Sequence, residues 1–183
     1  MKFLRSWIGR VPKVLYSPGW YVLVQMSADK TRKLTVERST ATAHRLSRYD
    51  GVCGNVHGHN INWEVVVGVE MDDGDKRNMP LDLKDVSSVV DQFDHELVLA
   101  HRDQMLDLDP VWGGVKEDAD FPIRYTSEVY GPVWVFDGDP TCEVLSQYVS
   151  DELTSLDGVF EADVTAYETD KYGVNANSFS FDD

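Results

Sequence analysis

The most constraining feature of this sequence is an alternating run between positions 57 and 69. Its odd positions hold two histidines followed by apolar residues, whereas its even positions are mostly glycine, asparagine and glutamate. Because successive side chains of a β-strand point to opposite faces, this period of two predicts a half-buried strand with His57 and His59 on its apolar face. Any fold for the chain must therefore bury one face of this strand and place two imidazoles at its end.

Further strands are predicted on both sides of this run. An earlier segment from about Lys33 to Ala43 is rich in threonine and valine and places His44 at its end. A late alternating run ends in the carboxylate of Glu168, and Val133 to Phe136 forms a shorter candidate strand. The apolar face of the late run consists of alternate residues, namely Phe160, Ala162, Val164 and Ala166.

Two helices are predicted between the strands. Asp82 can cap the first helix, whose apolar residues recur at helical spacing. Asp139 followed by Pro140 can start the second helix, and Gly158 can stop it. The predicted inward residues are Leu83, Val86, Val90, Phe93 and Leu97 in the first helix, and Leu145, Tyr148, Val149 and Leu153 in the second. The order of elements predicts an α+β domain with helices on one face of an antiparallel sheet.

One domain is the economical interpretation of 183 residues. We assign it to residues 33–183, with an insertion at about 101–138 that is long for a simple connection. Residues 1–32 form an N-terminal extension, in which Tyr21 to Val24 could add a strand, and Met26 is an alternative translation start. Asp72 to Asp75 predict a turn after the alternating strand.

The charge excludes some functions. A net charge of -15 and a pI near 4.6 argue against binding to a nucleic-acid backbone, because that affinity comes from lysine and arginine. Dispersed acidity of this kind is expected of a cytosolic protein from a high-salt organism. No window is apolar enough for a membrane span, and two cysteines are too few for a disulfide framework, so a reduced cytoplasmic protein is expected.

The histidines suggest a metal site. His44, His57 and His59 could supply three nitrogens to one zinc ion and leave a fourth position open, which is the catalytic form of a zinc site. Cys53 could close the site as a fourth ligand, or lie beside the metal as a thiolate base. Glu168 ends an apolar row, where an ionised carboxylate needs a partner such as the paired N–H donors of a ligand.

Several short motifs occur in a fixed order. They are Ala43 to Leu46 (AHRL), Cys53 to Asn60 (CxxxHGHN), Asp94-His95, Pro140 to Glu143 (PTxE) and Glu168-Thr169. Together they resemble the 6-pyruvoyltetrahydropterin synthase and 6-carboxytetrahydropterin synthase family over roughly residues 33 to 177. The three-residue gap between Cys53 and His57 resembles the 6-carboxy branch.

The resemblance implies a tunnelling fold, in which four-stranded antiparallel sheets with two helices on one face assemble as trimers and then as a hexamer. It implies zinc on His44, His57 and His59 and a pterin triphosphate substrate, with no nucleic acid or membrane partner. The implied proton acceptor is Cys53, and Asp94 with His95 form a proton relay. The implied substrate contacts are Glu168, as the anchor of the pterin ring, and Thr141, with Arg45, Lys84 and Lys171 as candidates for the triphosphate.

The implied activity converts 7,8-dihydroneopterin triphosphate to 6-carboxytetrahydropterin, a precursor of 7-deazaguanine bases. Three alternatives stay open: a 6-pyruvoyl or other pterin-synthase branch, a closed zinc-binding structural protein, and a family member without catalysis. The sequence departs from the family pattern at Met79 to Lys84, which lacks a DF pair, and at Thr40 to Thr42, which stand where an aromatic residue is usual.

Overall fold

The structure is a computed structural model that describes residues 31–71, 79–117 and 119–180. Seven strands, three α-helices and two short 3₁₀ turns, Val52–Gly54 and Leu106–Leu108, follow one another along these residues. The strands are β1 (Thr31–His44), β2 (His57–Glu70), β3 (Leu97–Ala100), β4 (Ile123–Ser127), β5 (Gly131–Phe136), β6 (Val159–Thr169) and β7 (Tyr172–Phe179). The helices are α1 (Leu83–Asp91), α2 (Trp112–Glu117) and α3 (Cys142–Thr154).

The strands form one mixed sheet in the order β4-β5-β3-β1-β2-β6-β7. Strands β1, β2, β6 and β7 are antiparallel neighbours, as predicted. The predicted four-stranded sheet is nevertheless too small, because β3 pairs with β1 in parallel at Ala43 and His44 and carries β5 and β4 beyond it. The α+β class is confirmed, with three helices in place of the predicted two.

The core lies between the sheet and helices α1 and α3. The odd positions of β2 are fully buried from Ile61 onward, because this face of the strand packs under the helices. On β6, the predicted row is buried at Ala162, Val164 and Ala166. Phe160 is only half-buried, because the register between β2 and β6 shifts after Gly68. The alternation in the sequence thus reports the buried face of the sheet, except where the register shifts.

The first predicted helix begins where expected, because the Asp82 side chain accepts a hydrogen bond from the Lys84 amide. It ends at Asp91, so Phe93 lies in the following turn and Leu97 begins β3, whereas Leu83 is exposed. Helix α3 is capped by Thr141 rather than by Asp139. Gly158 follows the helix with a φ of 80°, in the left-handed region that glycine adopts without strain.

The insertion at 101–138 has structure of its own, as its length suggested. It contains α2, β4 and β5, and the predicted strand at Val133 to Phe136 is confirmed as part of β5. A second apolar cluster lies under these elements and consists of Leu99, Leu106, Trp112, Val133 and Val135. This cluster stabilises an extra sheet edge next to the end of β1.

The predictions for Tyr21 to Val24, for a start at Met26 and for the turn at 72–75 fall on residues outside the described ranges. Within those ranges, every helix is too short or too polar to cross a membrane.

Candidate metal centre and its surroundings

Three histidine rings meet where β1 ends and β2 begins. His44 is paired with His57 across the two strands, and His59 is paired with Thr42 two positions further along β2. The ring centroids lie 4.6 Å apart for His44 and His57, 4.9 Å for His57 and His59, and 5.4 Å for His44 and His59. The structure therefore brings the three predicted metal ligands together through the register of one antiparallel strand pair.

Backbone carbonyls fix the orientation of two of these rings. His44 Nδ1 donates to the Pro140 carbonyl and His57 Nδ1 donates to the Asn55 carbonyl, each at 2.8 Å. A carbonyl oxygen only accepts, so Nδ1 carries the proton in both rings and Nε2 is left with a lone pair in the neutral imidazole. The Nε2 atoms of all three histidines are buried and make no hydrogen bond.

Glu168 lies against the same nitrogens. Its Oε1 atom is 3.3 Å from His44 Nε2 and 3.2 Å from His59 Nε2. Burial lowers the pKa of His44, so this imidazole is neutral near pH 7. An acceptor oxygen then faces a nitrogen lone pair, an arrangement that a cation stabilises.

The four residues offer ligand atoms that all lie within 4.8 Å of one another. We call His44, His57, His59 and Glu168 the four-residue cluster. Three imidazole nitrogens and one carboxylate oxygen are the donor types that transition metals such as zinc use in proteins. The buried nitrogens without hydrogen bonds and this donor set both fit a bound metal ion.

Cys53 lies nearby in the chain but is not a member of the cluster. It sits in the 3₁₀ turn Val52–Gly54, is half-buried and is a free thiol. The turn is held because Leu46 N donates to the Cys53 carbonyl at 2.9 Å, and a Cβ at position 54 would lie 2.6 Å from the Tyr49 carbonyl oxygen. Glycine at position 54 is therefore required for this path of the chain.

Asp94 and His95 follow α1 and are held against β1. The Asp94 carboxylate accepts from the Ala41 amide at 2.8 Å, while the His95 amide donates to the Ala41 carbonyl at 2.7 Å. Asp94 Oδ2 also lies 3.0 Å from His95 Nδ1. The hydrogen bond from Ala41 and then that from His95 lower the pKa of Asp94. The two predicted side chains thus contact each other, although 82% of the His95 side chain is exposed.

The pair at Asp94 and His95 depends on a buried hydrogen-bond chain. Trp63 donates to the Thr40 hydroxyl at 3.0 Å, Thr40 and Thr42 hydroxyls are 3.1 Å apart, and Thr42 donates to the Phe93 carbonyl at 3.0 Å. His95 itself has a φ of 60°, which is uncommon outside glycine. Thr40 and Thr42 therefore anchor the turn that carries Asp94 and His95.

The other four of the five predicted substrate contacts lie in different surroundings from Glu168. Arg45 Nε is 3.2 Å from the carboxylate of Asp103, which is buried in the insertion. Lys84 is exposed in the first turn of α1, and Lys171 is exposed in the turn between β6 and β7. Thr141 caps α3 and directly follows Pro140, whose carbonyl holds His44, so the PTxE motif is tied to the metal end of the site.

Cys142 is the second cysteine of the chain and is buried at the start of α3. Burial, and then the negative charges of Glu168 and Glu143, raise the pKa of its thiol to about 12. The thiol therefore stays protonated and behaves as a small apolar group.

An open concavity adjoins the cluster. Its volume is about 490 Å³, and its lining includes His59 together with Ala41, whose backbone holds Asp94 and His95. The carbonyls of Pro140 and Asn55, which orient two histidines, were not predicted from the sequence. No sequence signal marks them, because any residue supplies a backbone carbonyl.

Comparisons with known proteins place the chain in a family. The family model described as 6-pyruvoyl tetrahydropterin synthase matches residues 33–178. A curated relative, the 6-carboxy-5,6,7,8-tetrahydropterin synthase of Haemophilus influenzae, is 33% identical over 72 residues. That match covers 36% of this chain and 51% of the relative, so the chain spans about half the length of this relative.

Solved structures show the same fold at low sequence identity. An uncharacterised protein from Wolinella succinogenes has a TM-score of 0.57 at 16% identity, over 82% of this chain and 99% of that one. The 6-pyruvoyl tetrahydropterin synthase of Plasmodium vivax has a TM-score of 0.52 at 16% identity, over 83% of this chain and all of that one. These similarities establish the fold of the chain.

Proposed function

Because the chain belongs to the 6-pyruvoyl tetrahydropterin synthase family, we propose that it is a zinc-dependent lyase that acts on 7,8-dihydroneopterin triphosphate. The products are 6-carboxy-5,6,7,8-tetrahydropterin, acetaldehyde and triphosphate. One water is consumed, since the new carboxylate needs a second oxygen. The observation that carries this proposal is the four-residue cluster, in which three buried imidazole nitrogens converge without hydrogen bonds.

The donor set suits zinc, held by His44, His57 and His59. A zinc ion would supply Lewis acidity toward the side-chain hydroxyls of the substrate and so acidify the neighbouring carbon. Pro140 and Asn55 keep two of the nitrogens available by accepting the Nδ1 protons. The protein's contribution at this end is orientation of the ligands.

Proton transfer falls to side chains around the metal end. Cys53 is the proposed base that removes a proton from the substrate side chain. His95 is the proposed group that returns a proton, and Asp94 orients it through the 3.0 Å contact with Nδ1. Glu168 and Thr141 are proposed to receive the pterin ring, while Arg45, Lys84 and Lys171 remain the candidates for the triphosphate.

The 6-carboxy branch is supported by the three-residue gap between Cys53 and His57 and by the similarity to the Haemophilus influenzae enzyme. In this branch the product serves 7-deazaguanine biosynthesis, which makes the chain a cytoplasmic biosynthetic enzyme. A 6-pyruvoyl product is the alternative within the family. Incubation with 7,8-dihydroneopterin triphosphate should release acetaldehyde, detected with an alcohol dehydrogenase and NADH. Substrate consumption without acetaldehyde would assign the chain to the other branch.

We propose a hexamer, as the family resemblance implies, and the edges of the sheet are compatible with it. Residues 33–40 of β1 have no strand beside them on the side of β3 within the described residues, and β7 ends the sheet at the other side. Two such edges allow head-to-tail pairing that closes into a ring. Equilibrium sedimentation should give six chains per particle, and a monomer at micromolar concentration would contradict the assembly.

The alternative from another class is a structural protein in which Cys53 closes the zinc site as a fourth ligand. Cys53→Ala should abolish acetaldehyde formation while one zinc per chain is retained, because the thiol is not among the clustered ligand atoms. Loss of zinc together with unfolding would favour the structural alternative. Cys142→Ala is the matched control, since it removes the other free thiol and should leave both zinc content and turnover intact.

A further inference from the structure

Glu168 is placed by an irregularity of strand β6. The pairing of β6 with β2 ends at Tyr167, and the register with β7 shifts between Tyr167 and Thr169. Glu168 is therefore the extra residue of a bulge, and bulges redirect side chains near functional sites. The carboxylate at this bulge reaches histidines of two other strands, β1 and β2.

The Glu168 carboxylate does not stand apart as a group that is free to bind the pterin ring. Its Oε1 atom approaches two imidazole nitrogens, at 3.3 and 3.2 Å, and makes a hydrogen bond with neither. The Nδ1 proton of His44 is already donated to Pro140, so lone pairs face each other across this gap. Such a contact is repulsive without a cation and favourable around one.

We propose that Glu168 is the fourth metal ligand in the substrate-free protein and that the pterin ring displaces it. This inference rests on the proposed function, since it concerns the same metal and the same substrate. Paired N–H donors of the ring would engage both carboxylate oxygens and draw the carboxylate toward the ring, so binding of the ring competes with coordination of the metal by Glu168. Binding of the ring thereby opens the coordination position that the substrate side chain needs.

The first test measures zinc affinity by competition with a chromophoric chelator, on the full chain without substrate. Glu168→Gln should weaken zinc binding at least about tenfold, the smallest loss of affinity usual when a residue that only supports a metal ligand is replaced. Glu168→Ala should weaken it further. Glu161→Gln is the matched control on the same strand, because Glu161 pairs with Lys33 and lies outside the cluster. Equal affinities in wild type and both Glu168 variants would overturn the inference.

The second test asks whether the fourth position is open. In the cobalt-substituted wild-type protein, azide should leave the visible spectrum unchanged, whereas in Glu168→Ala it should bind and shift the spectrum. Addition of 6-methyl-7,8-dihydropterin should make the wild type responsive to azide, relative to a spectrum with the pterin alone. An azide response in the wild type without pterin would contradict closure by Glu168.

The two tests also distinguish this inference from the proposed function. A wild-type protein that binds neither zinc nor cobalt would remove the metal itself, and with it the proposed activity. A protein that binds zinc, releases acetaldehyde and is insensitive to Glu168→Gln in zinc affinity would retain the proposed activity and refute only the ligand role of Glu168.

Discussion

The four-residue cluster and the pair formed by Asp94 and His95 are built in different ways. Each ligand of the cluster comes from a strand of the same sheet, and His44 is only 2% exposed. The pair lies in a turn at the outer edge of β1, and 82% of the His95 side chain is exposed. The four possible ligand groups therefore all come from one chain, whereas the His95 side chain faces outward.

This difference has a physical reason. A metal site needs several donors at fixed short distances, which neighbouring strands provide through their register. A proton relay needs one well-oriented group that can reach the substrate, and a turn anchored to Ala41 is sufficient for that. We therefore expect substitutions at the two places to have separable effects on metal content, turnover and stability.

The largest effect is expected at the metal end. His59→Ala should lower zinc affinity by at least about a hundredfold, because it removes a direct ligand, and turnover should fall to background. Zinc content after dialysis, measured by mass spectrometry, checks this expectation. His101→Ala is the matched control, since His101 also points Nδ1 at a backbone carbonyl but lies outside the cluster. Full zinc retention in His59→Ala would refute the assignment.

The relay should respond in the opposite manner. His95→Asn should reduce turnover by about 10²–10⁴-fold, the usual contribution of general acid–base catalysis, and leave zinc content unchanged. Asparagine is suitable because it tolerates the positive φ of this position. Steady-state rates and zinc analysis on the same preparation provide the measurement. Loss of zinc in this variant would show that metal binding at the four-residue cluster depends on His95.

The outward direction of the relay predicts that a second chain completes the site. Co-expression of Cys53→Ala and His95→Asn chains with different tags should restore about a quarter of wild-type activity if each site uses Cys53 of one chain and His95 of its neighbour. The quarter follows from random assembly of two chain types. If both residues act within one chain, the mixed particles stay inactive.

The buried chain of hydrogen bonds next to Asp94 and His95 should affect stability rather than metal binding. Thr42→Val keeps the shape of the side chain but leaves the buried Thr40 hydroxyl without its acceptor and removes one of the two donors to the Phe93 carbonyl. We expect a loss of about 1–3 kcal/mol in the free energy of unfolding, the cost of a buried unsatisfied group. Urea denaturation checks this value against Thr35→Val, an exposed position on the same strand. Equal stability of the two variants would show that this chain of hydrogen bonds does not contribute to the stability of the fold.

The smallest effect concerns pH. The pKa of Asp94 is lowered in the folded protein, chiefly by the Ala41 amide, so its ionised form stabilises the fold above the ordinary aspartate pKa of about 4. That contribution is lost as the pH falls through the lowered value. The urea midpoints of wild type and Asp94→Asn should therefore differ more at pH about 7 than at pH about 3. Asp107→Asn, at an exposed site, should show no such convergence.

Much of the fold was predictable because local patterns record burial. The alternation in β2 and β6 indicated the buried face, and Asp82 marked the start of α1. The bulge at Glu168 and the extra strands β3, β4 and β5 were not predicted as part of the sheet. Strand β3 is four residues long and pairs in parallel with β1. The local periodicity of apolar residues does not predict such a pairing.

The sequence alone determined which residue types are available for chemistry and on which face of a strand His57, His59 and Glu168 lie, because side-chain alternation is a local property of the backbone. Only the tertiary structure decided how these faces meet. The register of β1 against β2 brought His44 to His57, and the end of β6 placed Glu168 beside histidines of both strands. The three histidines and the carboxylate of Glu168, which lie far apart in the sequence, thereby form one cluster. Distances between strands depend on strand pairing, which no single segment of the sequence encodes.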